Sequence, residues 1–148
     1  MDAAFDIDVR LTLYREFAQT GHAPTSLCIA QKLDTSVAEI RAALERLARG
    51  KAIVLQAESR EVLMAAPFSV VPTPFLARTG DRSYFGSCVW DALGILAMLD
   101  GDGVIETSCA CCGEAMAITI QNGHSLPLQG VIHFAIPAKR WWDNIVFT

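Results

Sequence analysis

Residues 36–64, SVAEIRAALERLARGKAIVLQAESREVLM, decide the fold, because their hydrophobic period changes midway. Ser36 followed three residues later by Glu39 is the spacing of a capping box. Val37, Ile40, Leu44 and Leu47 then recur at three- and four-residue steps, which is one apolar stripe of an amphipathic helix. Gly50 stands where a helix end places its left-handed residue. Beyond it, Ala52-Ile53-Val54-Leu55 and Glu61-Val62-Leu63-Met64 flank the polar Ala57-Glu58-Ser59-Arg60, the pattern of a β-hairpin.

Upstream, Val9, Leu13 and Phe17 recur every fourth position between Asp6 and Gln19, with Tyr14 beside them, and predict a helix ending at Gly21. Pro24-Thr25-Ser26 opens a second helix carrying Leu27, Ile29, Ala30 and Leu33. Three helices and a hairpin form a winged helix-turn-helix pattern, with Ser36 to Arg49 in the place of a recognition helix. Charge argues against a nucleic-acid partner. Through Ala65 there are eight Lys and Arg against nine Asp and Glu, and Arg41, Arg46, Arg49 and Lys51 are diluted by Glu39 and Glu45. A duplex-binding face has to neutralise several phosphates. The preferred reading is a helical module that packs on the second half of the chain and completes a site there.

With 148 residues, 52% hydrophobic and 19% charged, the chain has enough apolar surface to offset the ordering entropy of a compact state. No window approaches the roughly 18 to 20 uninterrupted apolar residues of a membrane-spanning helix, so no membrane partner is expected. The start, Met1-Asp2-Ala3-Ala4-Phe5-Asp6, lacks the basic then apolar layout of a signal peptide, and the protein reads as cytoplasmic. In a reducing compartment, five cysteines point to metal binding, thiolate chemistry or burial before they point to disulfides.

From Pro67 the composition shifts to Pro, Gly, β-branched and aromatic residues. Ser69 to Phe75 reads as an edge strand or extended linker, and Asp81-Arg82-Ser83 as a turn. Tyr84 to Asp91 runs into Ala92 to Leu99, a buried helix stopped by Asp100-Gly101-Asp102-Gly103. Strands are expected at Val104 to Ser108, Ala115 to Gln121, Val131 to Ile136 and Asn144 to Thr148. The expected fold is α+β: a winged-helix-like three-helix module over residues 1–66, packed on a small mixed or antiparallel β region with one buried helix over residues 67–148.

Three constellations carry chemistry. Cys88 and Asp91, three apart at the start of the apolar helix, share a helix face, and a helix N-terminus favours a thiolate. That makes a thiol nucleophile or soft-metal ligand beside an acid/base; the alternative is a structural cysteine and a first-turn aspartate. Cys109-Ala110-Cys111-Cys112-Gly113 has the spacing of half a zinc knuckle. A structural zinc needs four ligands, no second such pair exists, and His124, His133, Cys88 and Cys28 are the remaining donors, so a tight turn of small residues is the preferred reading. Trp141-Trp142, after Lys139-Arg140, reads as core before it reads as a stacking surface. His133, between Ile132 and Phe134, reads as a structural histidine in a strand, His22 as a solvated turn residue, and Cys28 as a small core hydrophobe.

The order of a winged-helix-like module, an extended segment, the run Tyr84-Phe85-Gly86-Ser87-Cys88-Val89-Trp90-Asp91-Ala92-Leu93, and then Thr107-Ser108-Cys109 with a β region resembles the organomercurial (alkylmercury) lyases. The resemblance implies that Cys88 and Asp91 belong to a catalytic site and that Cys109 is a further family cysteine with a structural role. It also implies protonolysis of a carbon–mercury bond: two thiolates take the mercury, a carboxyl protonates the departing carbon, and mercury(II) stays on sulfur as product. No cofactor is required, and the partners are a small organomercurial or soft metal ion and small-molecule thiols. Mercury(II) is a soft cation that prefers thiolates, and burial raises a carboxyl pKa toward the protonated form the step needs. The family's second catalytic cysteine comes from a late strand, whose counterpart here, Asp143 to Thr148, has none. That leaves open a longer natural protein, a substitute thiol such as Cys111 or Cys112, with Cys88, Cys109 and Cys112 as candidate metal ligands, or a relative that binds or senses heavy metals without lyase activity.

Overall fold

The computed structural model describes residues 3–99, 101–128 and 130–146. The first helix, α1 (Ala3–Thr20), buries Val9, Leu13 and Phe17, and stops at Gly21, whose φ of +77° permits the turn and whose N–H reaches the Phe17 carbonyl at 2.8 Å. Thr25 caps α2 (Ser26–Lys32), its Oγ1 accepting from the Cys28 amide at 3.2 Å. The Glu61 carboxylate reaches over from the hairpin to accept from the Ser26 amide at 2.8 Å and from the Ser26 hydroxyl, so the N-terminus of α2 is tied to the sheet. Helix α3 (Val37–Arg49) begins with the reciprocal Ser36/Glu39 capping box and buries Ile40, Ala43 and Leu44.

Gly50 does not take the left-handed conformation expected of it; its φ is −77°. The helix closes one residue later, with Lys51 at φ 58° and the Ala52 amide bonded to the Leu47 carbonyl at 2.9 Å. The left-handed position is set by where the last carbonyls find donors, and here the register of that closure falls on a lysine.

The expected hairpin forms as β1 (Val54–Leu55) and β2 (Val62–Ala65), and leads into β3 (Phe68–Ser69), β4 (Leu76–Thr79) and β5 (Arg82–Gly86). After helix α4 (Val89–Met98) come β6 (Gly103–Ser108), β7 (Ala115–Gln121) and β8 (His124–Ser125). All eight strands join one antiparallel sheet in the order β1-β2-β3-β5-β4-β6-β7-β8. The β4–β5 turn is Gly80-Asp81 rather than residues 81–83, with Gly80 at φ +58°. Strand β8 was not anticipated, although Asn122-Gly123, at φ 50° and 75°, is the strongest short hairpin signal in the chain.

Helices and sheet share one core. Phe17 of α1 stacks on Phe68 of β3 with ring centroids 4.8 Å apart and planes 5° apart, and Phe68 lies 5.6 Å from Tyr84 of β5. The Tyr84 hydroxyl donates to the Ala18 carbonyl at 2.7 Å, and the Tyr14 hydroxyl to the Ala66 carbonyl at 2.7 Å. Helix α4 packs on β4 and β5 through Ala92, Ile95 and Leu96, while Trp90 and Met98 face outward at 62% and 45% exposure. Its uniform apolarity predicted burial all round, and the sheet covers only one side. Among the described residues no helix is long and apolar enough to cross a membrane.

The C-terminal segment departs most from expectation. Residues 131–136 form no strand and His133 is exposed. A 3-10 helix (Ala138–Asp143) follows Pro137, and Ile145 and Val146 lie in a turn; Phe147 and Thr148, the rest of the expected last strand, are outside the described residues. Trp141 is half-buried and Trp142 43% exposed, so neither is core. Gly130 at φ +144° and Pro137 interrupt the extended backbone, and the local contacts Phe134–Trp141, 5.3 Å between rings, and Trp141 Nε1 to the Ile136 carbonyl, 2.8 Å, replace cross-strand pairing.

Candidate active site

Cys88 is the cap residue of α4, with extended φ and ψ of −148° and −179°, and Asp91 sits in the helix's first turn. The junction is tight because Gly86, two residues before Cys88, lies against the helix: a Cβ there would fall 2.6 Å from the Ala92 nitrogen and 2.9 Å from its Cα. Strand β5 therefore delivers Cys88 to the helix N-terminus at a distance only glycine allows. The thiol and carboxyl face each other closely enough for the thiol to hydrogen-bond the carboxylate.

Burial raises the Cys88 thiol above its ordinary value, more than the Asp91 and Trp90 amides facing the sulfur lower it. No regular cap hydrogen bond forms from Cys88 to the helix amides. The dipole-favoured thiolate expected from the sequence is thus outweighed by desolvation. Burial also raises Asp91, against hydrogen bonds from the Cys88 thiol and the Ser87 amide. The Ser87 hydroxyl lies near that carboxyl, yet is buried without a well-formed hydrogen bond. Burial thus disfavours charge on both members of the pair.

Two cavities meet at Cys88. The larger, about 400 Å³, is lined by Leu63, Val71, Phe75 and Val89 together with His133 and Trp141. The smaller, about 180 Å³, holds Asp91 and lies beneath Lys51 and Trp142, which make a cation–π contact at 5.7 Å. Met64, Ser87, Cys88, Phe134, Trp141 and Ile145 border both. Sequence reasoning placed Cys88 and Asp91 together and the structure does so; it missed Met64, His133 and Trp141 as cavity walls. The aromatic pair Phe134/Trp141 beside a proline was the available signal for a segment that folds back rather than extends.

Cys109, Cys111 and Cys112 border neither cavity. They occupy the β6–β7 turn, closed by the Cys109 amide on the Glu114 carbonyl and the Gly113 amide on the Cys109 carbonyl, both 2.8 Å, with Gly113 at φ +74°. The Cys112 and Cys111 amides and the Cys112 side chain hydrogen-bond the Cys109 sulfur and lower its pKa. Cys109 is half-buried and Cys111 and Cys112 are exposed, Cys28 is half-buried on α2, and all five thiols are free. Among the described residues, no three His, Cys, Asp or Glu side chains gather as a metal site. The set Cys88, Cys109 and Cys112 is therefore not assembled around one ion.

No curated protein matches the chain. A solved structure described as the mercury-bound form of MerB2 superposes with a TM-score of 0.67 at 23% identity, covering 82% of this chain and 58% of that one, so the present chain spans little more than half of that relative's length. The fold is thus shared with a protein seen holding mercury. The family model for alkylmercury lyase (MerB) matches residues 68–148, the stretch that carries Cys88 and Asp91 and part of the walls of both cavities. Since that match takes in more than half of the sequence, the chain belongs to the alkylmercury lyase family.

Proposed function

We propose that the protein cleaves carbon–mercury bonds by protonolysis at Cys88 and Asp91. The observation that carries this reading is the half-buried thiol–carboxyl pair at the meeting of two largely apolar cavities. An organomercurial R–Hg–X enters the larger cavity, where the apolar walls take R. The Cys88 sulfur bonds mercury as X⁻ leaves, and the thiol proton passes to Asp91 along the existing hydrogen bond. A second sulfur then adds to mercury as a thiolate, its proton having gone to solvent, the carbon–mercury bond breaks, and Asp91 returns its proton to the departing carbon as R–H. Mercury(II) ends on two sulfurs and the carboxylate is regenerated. The raised Asp91 supports this role, because burial disfavours the carboxylate and so favours the carboxyl that receives the thiol proton and holds it until the carbon departs. A small-molecule thiol entering the open cavity supplies the second sulfur in this scheme, since Cys111 and Cys112 border neither cavity.

The test is single-turnover release of methane or benzene from methylmercury or phenylmercury with excess small thiol. The native chain should release hydrocarbon, Cys88→Ala should not, and Asp91→Asn should bind mercury yet lose release by 10²-fold or more, the scale of a lost general acid. Equal release from Asp91→Asn and the native chain would refute the proton relay. Mercury bound by the native chain without release would favour a heavy-metal-binding relative.

A further inference from the structure

We propose that the Cys109–Cys112 turn is a second mercury(II) site, separate from the cleft, in which the two sulfurs chelate one ion. Cys109 and Cys112 stand three residues apart in one tight turn, closed by the Gly113 amide on the Cys109 carbonyl at 2.8 Å, and the Cys112 side chain is near enough to lower the Cys109 pKa. The turn that holds them is pinned at both ends by 2.8 Å backbone bonds, and its one left-handed residue is a glycine with open space around it. The Cys111 and Cys112 amides face the Cys109 sulfur and would remain as partners for a bound thiolate. Cys111 contributes that amide alone, whereas Cys112 also brings its side chain to the Cys109 sulfur.

The donor set selects the cation. Zinc in a structural site takes four ligands, and among the described residues no third His, Cys, Asp or Glu joins these two. Mercury(II) is satisfied by two thiolates in a linear arrangement and prefers sulfur to oxygen or nitrogen. The exchange balances without an oxidant: a complex of mercury with two small thiolates plus two protein thiols gives the protein chelate and two small thiols. Register puts this turn at the same end of the sheet as the cleft. Glu106 pairs with Leu76, and Leu76 with Phe85, so Cys109 and Cys88 each follow by three residues from the same level of the sheet. Two strand spacings, ~10 Å, separate those strands. The site does not depend on lyase activity, because inorganic mercury(II) is its ligand.

The experiment loads Cys88→Ser protein with one equivalent of mercury(II) chloride, challenges it with excess monothiol, desalts it and measures mercury per chain. Retention should persist in that background and in Cys88→Ser/Cys111→Ser. It should fall on the order of 10²-fold in Cys88→Ser/Cys112→Ser, because a chelate outcompetes separate thiols by effective concentration. Equal retention with and without Cys112, or loss on removing Cys111, would overturn the assignment. Alkylation mapping of the native chain gives an independent reading that needs no variant to fold. Beyond the first equivalent, which Cys88 can take, added mercury should protect Cys109 and Cys112 while Cys111 and Cys28 are still labelled. Labelling of Cys112 as fast as Cys111 would refute the pair.

Discussion

At Gly86 a single hydrogen in place of a side chain decides where the reactive thiol stands. A methyl group there would sit inside the van der Waals radius of the Ala92 backbone, so Gly86→Ala should push α4 off β5. Overpacking of this kind costs about 1–3 kcal/mol. Thermal unfolding should show that loss, and mercury binding at Cys88 should weaken with it. Asp91 gives a second prediction at this scale. Its pKa is raised in the folded state, so the folded protein holds that proton more tightly than the unfolded chain. Its contribution to stability is therefore present at low pH and is lost as pH rises from the ordinary carboxylate value through the folded one. Asp91→Asn removes the titration, and its stability relative to the native chain should grow across that interval and then level off, as followed by denaturant melts at a series of pH values. The Cys88/Asp91 pair was legible because helical spacing alone brings i and i+3 together. The direction of the thiol's shift was not, because burial depends on the walls supplied by Met64, Phe134 and Trp141, which come from distant sequence.

Among the elements, α3 is the one whose sequence specifies both its start and its buried face. Ser36→Ala should destabilise the protein by about 1 kcal/mol in urea unfolding. The Glu39 carboxylate, bonded by the Thr35 and Ser36 hydroxyls and the Ser36 amide, is held down to about 2. Its stabilisation is present above 4.5 and is lost as pH falls toward 2, so the gap between native chain and Glu39→Gln should close over that acid window. The segment after β8 was legible only in composition. Apolar alternation around His133 satisfied the strand rule, but among the described residues no strand pairs with it, and Trp141 packs locally on Phe134 instead. That packing walls both cavities, so Trp141→Ala should speed alkylation of Cys88 severalfold without altering the rates at Cys111 and Cys112.

Over the whole molecule, the helices and the hairpin were readable from period and capping, while the sheet order was not. Strand β5 inserts between β3 and β4, so that β4 lies on the far side of β5 and pairs there with β6, and no local signal records such a pairing. Charge was readable in sum but not in place. Arg46 pairs with Asp6 across α1 and α3 at 2.6 Å, and Arg60 with Glu45 at 2.6 Å, so one cation named for a duplex-binding face and another from the charge count are engaged within the protein. The stack of Phe17 on Phe68 has a wider consequence. Phe68 is the first residue of the stretch matched to the family, and its partners are an aromatic ring from the helices and one from the strand that leads to Cys88. Anyone who transplants the thiol–carboxyl pair into another scaffold, or trims the gene to the matched stretch, strips the covering from the ring at its foundation; the helical half has to travel as part of the cargo.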